Sequence, residues 1–410
     1  MGIPAAGDRT RMTGRSGAAG SSRDLVVICA ANSWDTPVRL HDRQLAEHLA
    51  ELVPVLYVDP PLSWLTPIRQ RALGTALSEP RLRFLCPRLA RLTPVVPPFP
   101  LRPGMVRLTA ALLRRALRRT LNTLGCESVL ALVATSPLLP VFGACGERSR
   151  VYWAQDDLAA GADLLGIAAD RLALGERRLG EEADVIVAAN PVLAAVWERR
   201  GRAVELIPYG CDAAAFAGTD EAPFPTDVDL PRPIAGFVGH VGDRIDLALL
   251  DAVAARGRSV LLVGPRHPRF EVDRLGALLA RPNVTWVGAK RFEELSSYLR
   301  VIDVGLVPYT RSGFNVGSFP LKTLEYLAAG RAVVATDLPA HRWLATDLVT
   351  IADGPEAFAN AVDAALESSG DPHEVELRRR FAAQHSWSER ARAFARVLNH
   401  PTMPPQGIGA

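Results

Sequence analysis

Lysine is almost missing from this 410-residue chain: of 47 basic residues only Lys290 and Lys322 are lysines, so arginine carries positive charge nearly everywhere. The two lysines could be an accident of composition, or they could mark places where a compact ammonium does what a planar guanidinium cannot, such as meeting a phosphate oxygen as a point charge. Cysteine is also scarce. The five (Cys29, Cys86, Cys126, Cys145, Cys211) are odd in number and form no CxxC pair, which argues against a disulfide framework or a zinc site and points to a reducing cytosol. Long apolar runs are missing too. Val129 to Cys145 is interrupted by Pro137 and Pro140 and falls short of the roughly 20 residues a membrane-spanning helix needs. Acidic residues desert one region: between Arg69 and Arg119 twelve arginines face a single acid, Glu79, although the whole chain is only +3. That asymmetry suggests an anionic partner.

What is present is ordinary for a globular protein, 48% hydrophobic and 22% charged residues, which excludes disorder over most of the length. Tails are expected at 1–23 and 399–410, both poor in apolar periodicity, the first without an apolar core for a secretory signal. Between them, apolar runs of buried-strand type alternate with amphipathic helical patterns: DLVVICA from Asp24, VPVLYVDPP, VLALVAT, RVYWAQDD, ADVIVAAN and VELIPYG. After Gly210 the rhythm dissolves into an acid- and proline-rich stretch, then resumes with PIAGFVGHVG, SVLLVGP, NVTWVGA, DVGLVPY, RAVVATD and LVTIA. Strands buried on both faces and separated by helices imply parallel sheets. The expected organisation is a first doubly wound domain over 24–212, a linker over 213–233, a second over 234–385 and a last helix over 386–398.

Two segments of the second half carry chemistry. GFVGHVGDRID places Gly236, Gly239 and Gly242 between a strand and a helix, where backbone N–H groups and the helix N-terminus favour an anion. The spacing is not GxGxxG, and such turns often serve only to close a tight connection. Arg244 beside them either strengthens a diphosphate site or is a solvated helix-start residue. PLKTLEYLAAG sets Pro320 at a helix start and Lys322 three residues before Glu325, so ammonium and carboxylate share one side of the first turns. The ammonium suits a phosphate and the carboxylate the vicinal hydroxyls of a ribose; the plainer alternative is a surface i, i+3 ion pair.

From these motifs, with LIPYGCD, LLVGP, NVTWVG, FEELSSYLRVIDVGLVPY and the late HSW, residues 204–398 resemble the nucleotide-sugar-binding half of a GT-B glycosyltransferase. The group is the bacterial group 1 type that includes teichuronic-acid and glucuronosyl transferases. The first half resembles it less specifically, through Trp34–Asp35, RLHDRQLAEHLA, VLYVDPPLSW and VYWAQDD. The resemblance implies an α/β fold of the GT-B type, two doubly wound Rossmann-like domains facing a cleft, with the C-terminal helix returning to the first domain. It also implies that Glu325 meets the donor ribose. The family's partner acid, eight positions earlier, would fall at Gly317, which brings the segment closer to a PxK subgroup in which Lys322 binds the diphosphate. The candidate donor-binding set is Gly239, His240, Arg244, Lys290, Pro320, Leu321, Lys322 and Glu325.

Candidate catalytic residues lie in the first half. The resemblance of VYWAQDD points to Asp156 or Asp157 as the base, with Asp157 preferred; either could instead cap a helix. His41, before the first helix, is a candidate near the sugar or acceptor, with a structural histidine as the alternative, and Arg39 has the same status. No metal site is indicated, and the expected co-substrate is a nucleoside diphosphate sugar with no other cofactor. The arginine-rich stretch admits three readings: a helix resting on anionic lipid, a nucleic-acid surface without any accompanying motif, or a solvated face. The function expected is sugar transfer to a cell-envelope, exopolysaccharide or polyprenyl-linked acceptor, in the cytosol at the inner membrane face and without nucleic acid. The alternatives are a sugar-nucleotide epimerase of the same architecture and a non-catalytic sugar-nucleotide-binding subunit.

Overall fold

Short runs of Val, Ile, Leu and Ala with no polar alternation leave a strand no wet face, so they assemble into sheets covered by helices on both sides. In the computed structural model, which describes residues 24–36, 39–63, 65 and 79–399, this gives two principal sheets. The first contains β1 (Asp24–Cys29), β2 (Val55–Val58), β4 (Leu82–Cys86), β5 (Leu89–Leu92), β7 (Ser128–Ala134), β8 (Ser149–Ala154), β9 (Val185–Ala188) and β10 (Val204–Leu206), in the order β10-β9-β8-β7-β1-β2-β5-β4. Every pairing in it is parallel except β4 with β5. A separate parallel pair joins β3 (Leu62–Ser63) to β6 (Val95–Val96).

The second sheet contains β11 (Ile234–Val238), β12 (Ser259–Val263), β13 (Val284–Trp286), β14 (Val304–Val307), β15 (Ala332–Ala335) and β16 (Val349–Ile351), all parallel, in the order β13-β12-β11-β14-β15-β16. Each sheet reverses its winding once, between β1 and β7 and between β11 and β14, and such reversals open crevices at the strands' carboxyl ends. All twelve anticipated strand segments contain a strand. Residues 213–233 hold a short helix, Ala213–Ala217, and a 3-10 turn, Thr219–Glu221. The expected tails, apart from Asn399, and Arg69 and Arg71 of the arginine-rich stretch lie outside the described residues.

The chain crosses between the domains twice, side by side. Cys211 donates its N–H to His385 O at 3.0 Å and accepts from Trp387 N at 3.0 Å, forming a parallel bridge with Ser386. A Cβ on Gly210 would lie 2.6 Å from Trp387 N, so this approach requires glycine. Beyond the second crossing, the helix Trp387–Asn399 packs on the first domain, with Phe394 edge-on to Trp153 at 5.1 Å and Ala391 and Phe394 fully buried. The return of the last helix to the first domain is therefore observed.

The arginine-rich stretch divides in the structure. Arg91 is buried on β5, with Nε on Asp59 at 2.6 Å and its other nitrogens on Asp35 at 2.8 and 2.7 Å. Asp59 also accepts from Trp34 N at 2.8 Å, so Arg91 organises the loop after β1 and is no part of a surface. Arg88 donates to the carbonyls of Glu51 and Leu52. Arg81, Arg88 and Arg102 are exposed outside any helix, and five more exposed arginines lie on the helix Met105–Thr123, which buries Leu113, Leu117 and Leu121 and presents Arg107, Arg114, Arg115, Arg118 and Arg119 to solvent. Leu108 is 45% exposed among those arginines.

A buried histidine fixes the helix Leu321–Ala328. His341 Nδ1 donates to Thr336 O at 2.8 Å, which leaves Nε2 to accept from Thr323 Oγ1 at 3.0 Å. Burial pushes its pKa down from 6.5 to about 4. Between those values the unfolded chain binds a proton that the folded one refuses, so this stabilisation is complete above pH 6.5 and is lost as pH falls toward 4. The expected difference between wild type and His341→Phe, followed by denaturant unfolding across that window, is a pH-dependent contribution of about 3 kcal/mol that the variant lacks.

Candidate functional site

The ladder between β11 and β14 pairs only Ala235 with Val304 and Gly236 with Gly305. Beyond it the strands part, and the freed Val238 N–H donates to the phenol oxygen of Tyr326 at 2.7 Å. The Tyr326 ring fits only because position 305 is glycine, where a Cβ would lie 2.3 Å from it. This wedge seats the helix Leu321–Ala328 at the reversal of the second sheet with its N-terminus directed from Pro320. There Lys322 Nζ donates to Glu325 Oε2 at 2.6 Å, with Glu325 only 7% exposed. The pair is thus an i, i+3 ion pair that does not lie wholly at the surface, since its carboxylate is buried and its ammonium partly open.

The glycine turn after β11 lies beside it. Gly239 N donates to Val263 O at 2.8 Å, and Gly264, at φ +140°, approaches so closely that a Cβ there would stand 1.9 Å from Gly239 O. His240 follows and packs over Gly242, where a Cβ would come within 2.8 Å of the imidazole. Arg244 Nε donates to Asn315 Oδ1 at 2.8 Å, and its guanidinium faces the rings of Tyr309 at 5.0 Å and Phe314 at 4.9 Å. Asn315 returns a bond to Arg244 O at 2.9 Å, tying the turn after β11 to the loop after β14.

Across the cleft, the carboxyl end of β8 leads into Gln155, Asp156 and Asp157. His41 Nε2 is 3.0 Å from Gln155 Oε1, and its ring stacks on Tyr209 at 4.5 Å with an 8° tilt. Gln155 donates on to Asp42, whose other oxygen accepts from the backbone of Ala31 and Asn32 and from Asn32 Nδ2. Tyr209 OH donates to Asp156 Oδ2 at 3.3 Å. Asp157 Oδ1 accepts from Ala160 N at 2.9 Å, while its N–H reaches across to Gly317 O at 3.2 Å. Behind it, Glu176 shares a 3.3 Å bond with Tyr152 OH; burial first, then the charge of Asp157, pushes its pKa up to about 7.

Lys322, Glu325, Pro320 and Leu321 therefore share one helix start. Gly239, His240 and Arg244 lie on the neighbouring turn, and Asp156, Asp157 and His41 belong to the facing domain. Lys290 keeps other company: Asp227 at 2.6 Å and the Tyr298 ring at 5.1 Å. Arg39 binds Asp212 and Glu47 and lies 5.1 Å from the Phe292 ring. Sequence reasoning passed over Gln155, Tyr209, Asn190 and Asn315, of which Asn190 alone carried a local signal, an Asn-Pro pair opening a helix. Among the described residues, no group of three or more His, Cys, Asp or Glu is placed to hold a metal ion, and no helix is long and apolar enough to cross a membrane.

Residues 232–368 match the family of glycosyl transferases group 1. Over 223 residues the chain is 30% identical to the putative teichuronic acid biosynthesis glycosyltransferase TuaH of Bacillus subtilis strain 168, a match spanning 52% of this chain and 56% of that protein. In structure it is similar to the sucrose-phosphate synthase of Thermosynechococcus elongatus, with a TM-score of 0.68 at 17% identity, covering 92% of this chain and 98% of that one. It is likewise similar to Anabaena Alr3699/HepE in complex with UDP, with a TM-score of 0.60 at 14% identity over 92% and 99% of the two chains. The fold is GT-B, as the motifs implied.

Proposed function

From that GT-B frame and its group 1 glycosyltransferase region, we propose that the chain transfers a sugar from a nucleoside diphosphate donor to a cell-envelope, exopolysaccharide or polyprenyl-linked acceptor. The observation that carries the reading is the Lys322–Glu325 pair at a helix start on the β11/β14 reversal, facing Asp156 and Asp157 across the cleft. Glu325 accepts from the ribose hydroxyls. Lys322, released from Glu325, and Arg244 take the diphosphate. The bond from the anomeric carbon to the phosphate oxygen breaks with its electrons passing to the diphosphate. The acceptor oxygen bonds to that carbon, and Asp157 takes the hydroxyl proton. No metal ion is assigned, because guanidinium, ammonium and helix N-terminus supply the positive charge.

TuaH, by its description a teichuronic acid biosynthesis enzyme, supports a cell-envelope acceptor, and the UDP complex of Alr3699/HepE makes uridine the first base to test. The deciding experiment is a thermal-shift panel of UDP-, GDP- and dTDP-sugars, since a ligand of the native state raises the midpoint by mass action. A shift for one base followed by transfer to a lipid-linked acceptor supports the proposal. Binding with no transfer supports the non-catalytic subunit, and an epimer appearing by nuclear magnetic resonance without acceptor supports the epimerase.

The outward arginines of the helix Met105–Thr123 support a working place at the membrane's cytosolic face, each contributing about 1 kcal/mol near anionic lipid. The protein should co-sediment with vesicles rich in phosphatidylglycerol and not with phosphatidylcholine ones, and Arg114→Glu/Arg118→Glu should stay in the supernatant. Equal sedimentation of that variant would refute the surface.

A further inference from the structure

The carbonyl oxygen of Gly317 is held by donors from the opposite domain. Asp157 N–H reaches it at 3.2 Å and Asn190 Nδ2 at 2.8 Å. Asn190 is 1% exposed, and its other side-chain atom, Oδ1, accepts from Leu193 N at 2.9 Å and caps the helix Pro191–Arg199. One side chain thus joins the first domain's own helix to a backbone group of the second. The junction is tight on both sides. A Cβ on Gly317 would stand 2.6 Å from Asp157 Cβ, and one on Gly161 would stand 2.5 Å from the Phe314 ring. Phe314 in turn lies under the Arg244 guanidinium, and four residues beyond Gly317 the helix bearing Lys322 begins.

We infer that Asn190 is a positioning residue for sugar transfer. Through Gly317 it locks the two domains at the distance that sets Asp157 against the donor site, and Gly317 lacks a side chain because Asp157 occupies the space one would need. The inference rests on the transfer reaction proposed above. Asn190 touches no substrate; it acts by fixing how near the Asp157 carboxylate comes to the start of the Lys322 helix. A reacting group displaced by about an ångström loses on the order of a hundredfold in rate.

The chemistry of Asn190 separates its two jobs. Asn190→Asp keeps an oxygen for Leu193 N but turns the donor facing Gly317 O into a second acceptor, so the cap survives and the lock does not. On the full-length protein, with the UDP-sugar giving the largest thermal shift as donor, N190D should lose on the order of a hundredfold in kcat. Its KM for donor and its UDP-induced thermal shift should stay near wild type, and its radius of gyration by small-angle X-ray scattering should increase. Gly317→Ala should reproduce this from the other side of the junction, and the double variant should fall no further than the worse single, since both break one contact. Near-wild-type kcat in both singles, or fully additive losses, would overturn the assignment. If no nucleotide binds the wild type, the transfer reading fails by itself; an unchanged radius of gyration in both variants would then overturn the lock independently.

Discussion

Lys322→Ala should abolish the nucleotide-dependent thermal shift and, at the same time, lower the stability of the empty protein. The two effects have separate causes. A charge-assisted bond to phosphate is worth roughly 1.5–3 kcal/mol, which at about 1.4 kcal/mol per decade is a ten- to hundredfold loss of affinity or more. The loss of stability arises at Glu325, which is 7% exposed and accepts from Lys322 at 2.6 Å. Removing one partner of such a pair leaves an uncompensated carboxylate and costs about 3 kcal/mol. Lys322→Ala/Glu325→Gln should therefore recover the unfolding midpoint without recovering binding. Lys322→Arg should keep the fold and bind weakly, because the guanidinium fork replaces a point charge. Unaltered UDP, GDP and dTDP affinity in Lys322→Ala would remove this residue from the donor site.

Asp157→Asn should lower kcat by about a hundred- to ten-thousandfold, the range for losing a general base, with nucleotide binding intact. The substitution is conservative in the structure. Asn keeps an oxygen for Ala160 N and the backbone N–H for Gly317 O, so the lid of contacts between the domains persists. Only the proton acceptor is lost. Asp156→Asn should cost much less, since its carboxylate accepts from Tyr209 OH at 3.3 Å, a role an amide oxygen fills. The ranking of the two variants decides which acid takes the proton. Glu176 provides a second readout: part of the cause that holds it near 7 is the charge of Asp157, so its titration, followed by nuclear magnetic resonance, should move toward an ordinary carboxylate in Asp157→Asn. Equal kcat for Asp157→Asn and wild type would exclude the base role.

What could be read from the sequence depended on how local the determining physics was. β1, β7 and β11 are continuous apolar runs, and no other arrangement buries both of their faces. β4 and β5 escaped notice because LRFLCPRLARL is laced with arginine; Arg91 is at home in a strand only because Asp59 and Asp35, from distant segments, neutralise it there. Lys322 and Glu325 were legible since helical spacing alone sets them on one side. The scarcity of lysine also drew notice to Lys290, though less strongly, and the structure engages it with Asp227 and the Tyr298 ring. The stacking of His41 on Tyr209, and the hold of Asn190 on Gly317, span more than a hundred residues of chain and have no signature shorter than the fold itself.

The return of the helix Trp387–Asn399 to the first domain has a consequence for how the protein comes into being. Trp153, a central core residue of that domain, is covered in part by Phe394, a side chain synthesised some 240 residues later. The first domain is thus begun first and sealed last, after the whole second domain has emerged from the ribosome. A stop codon before position 387 would injure the domain farthest from it in translation order, and a nascent chain must carry an unfinished apolar surface through most of its synthesis.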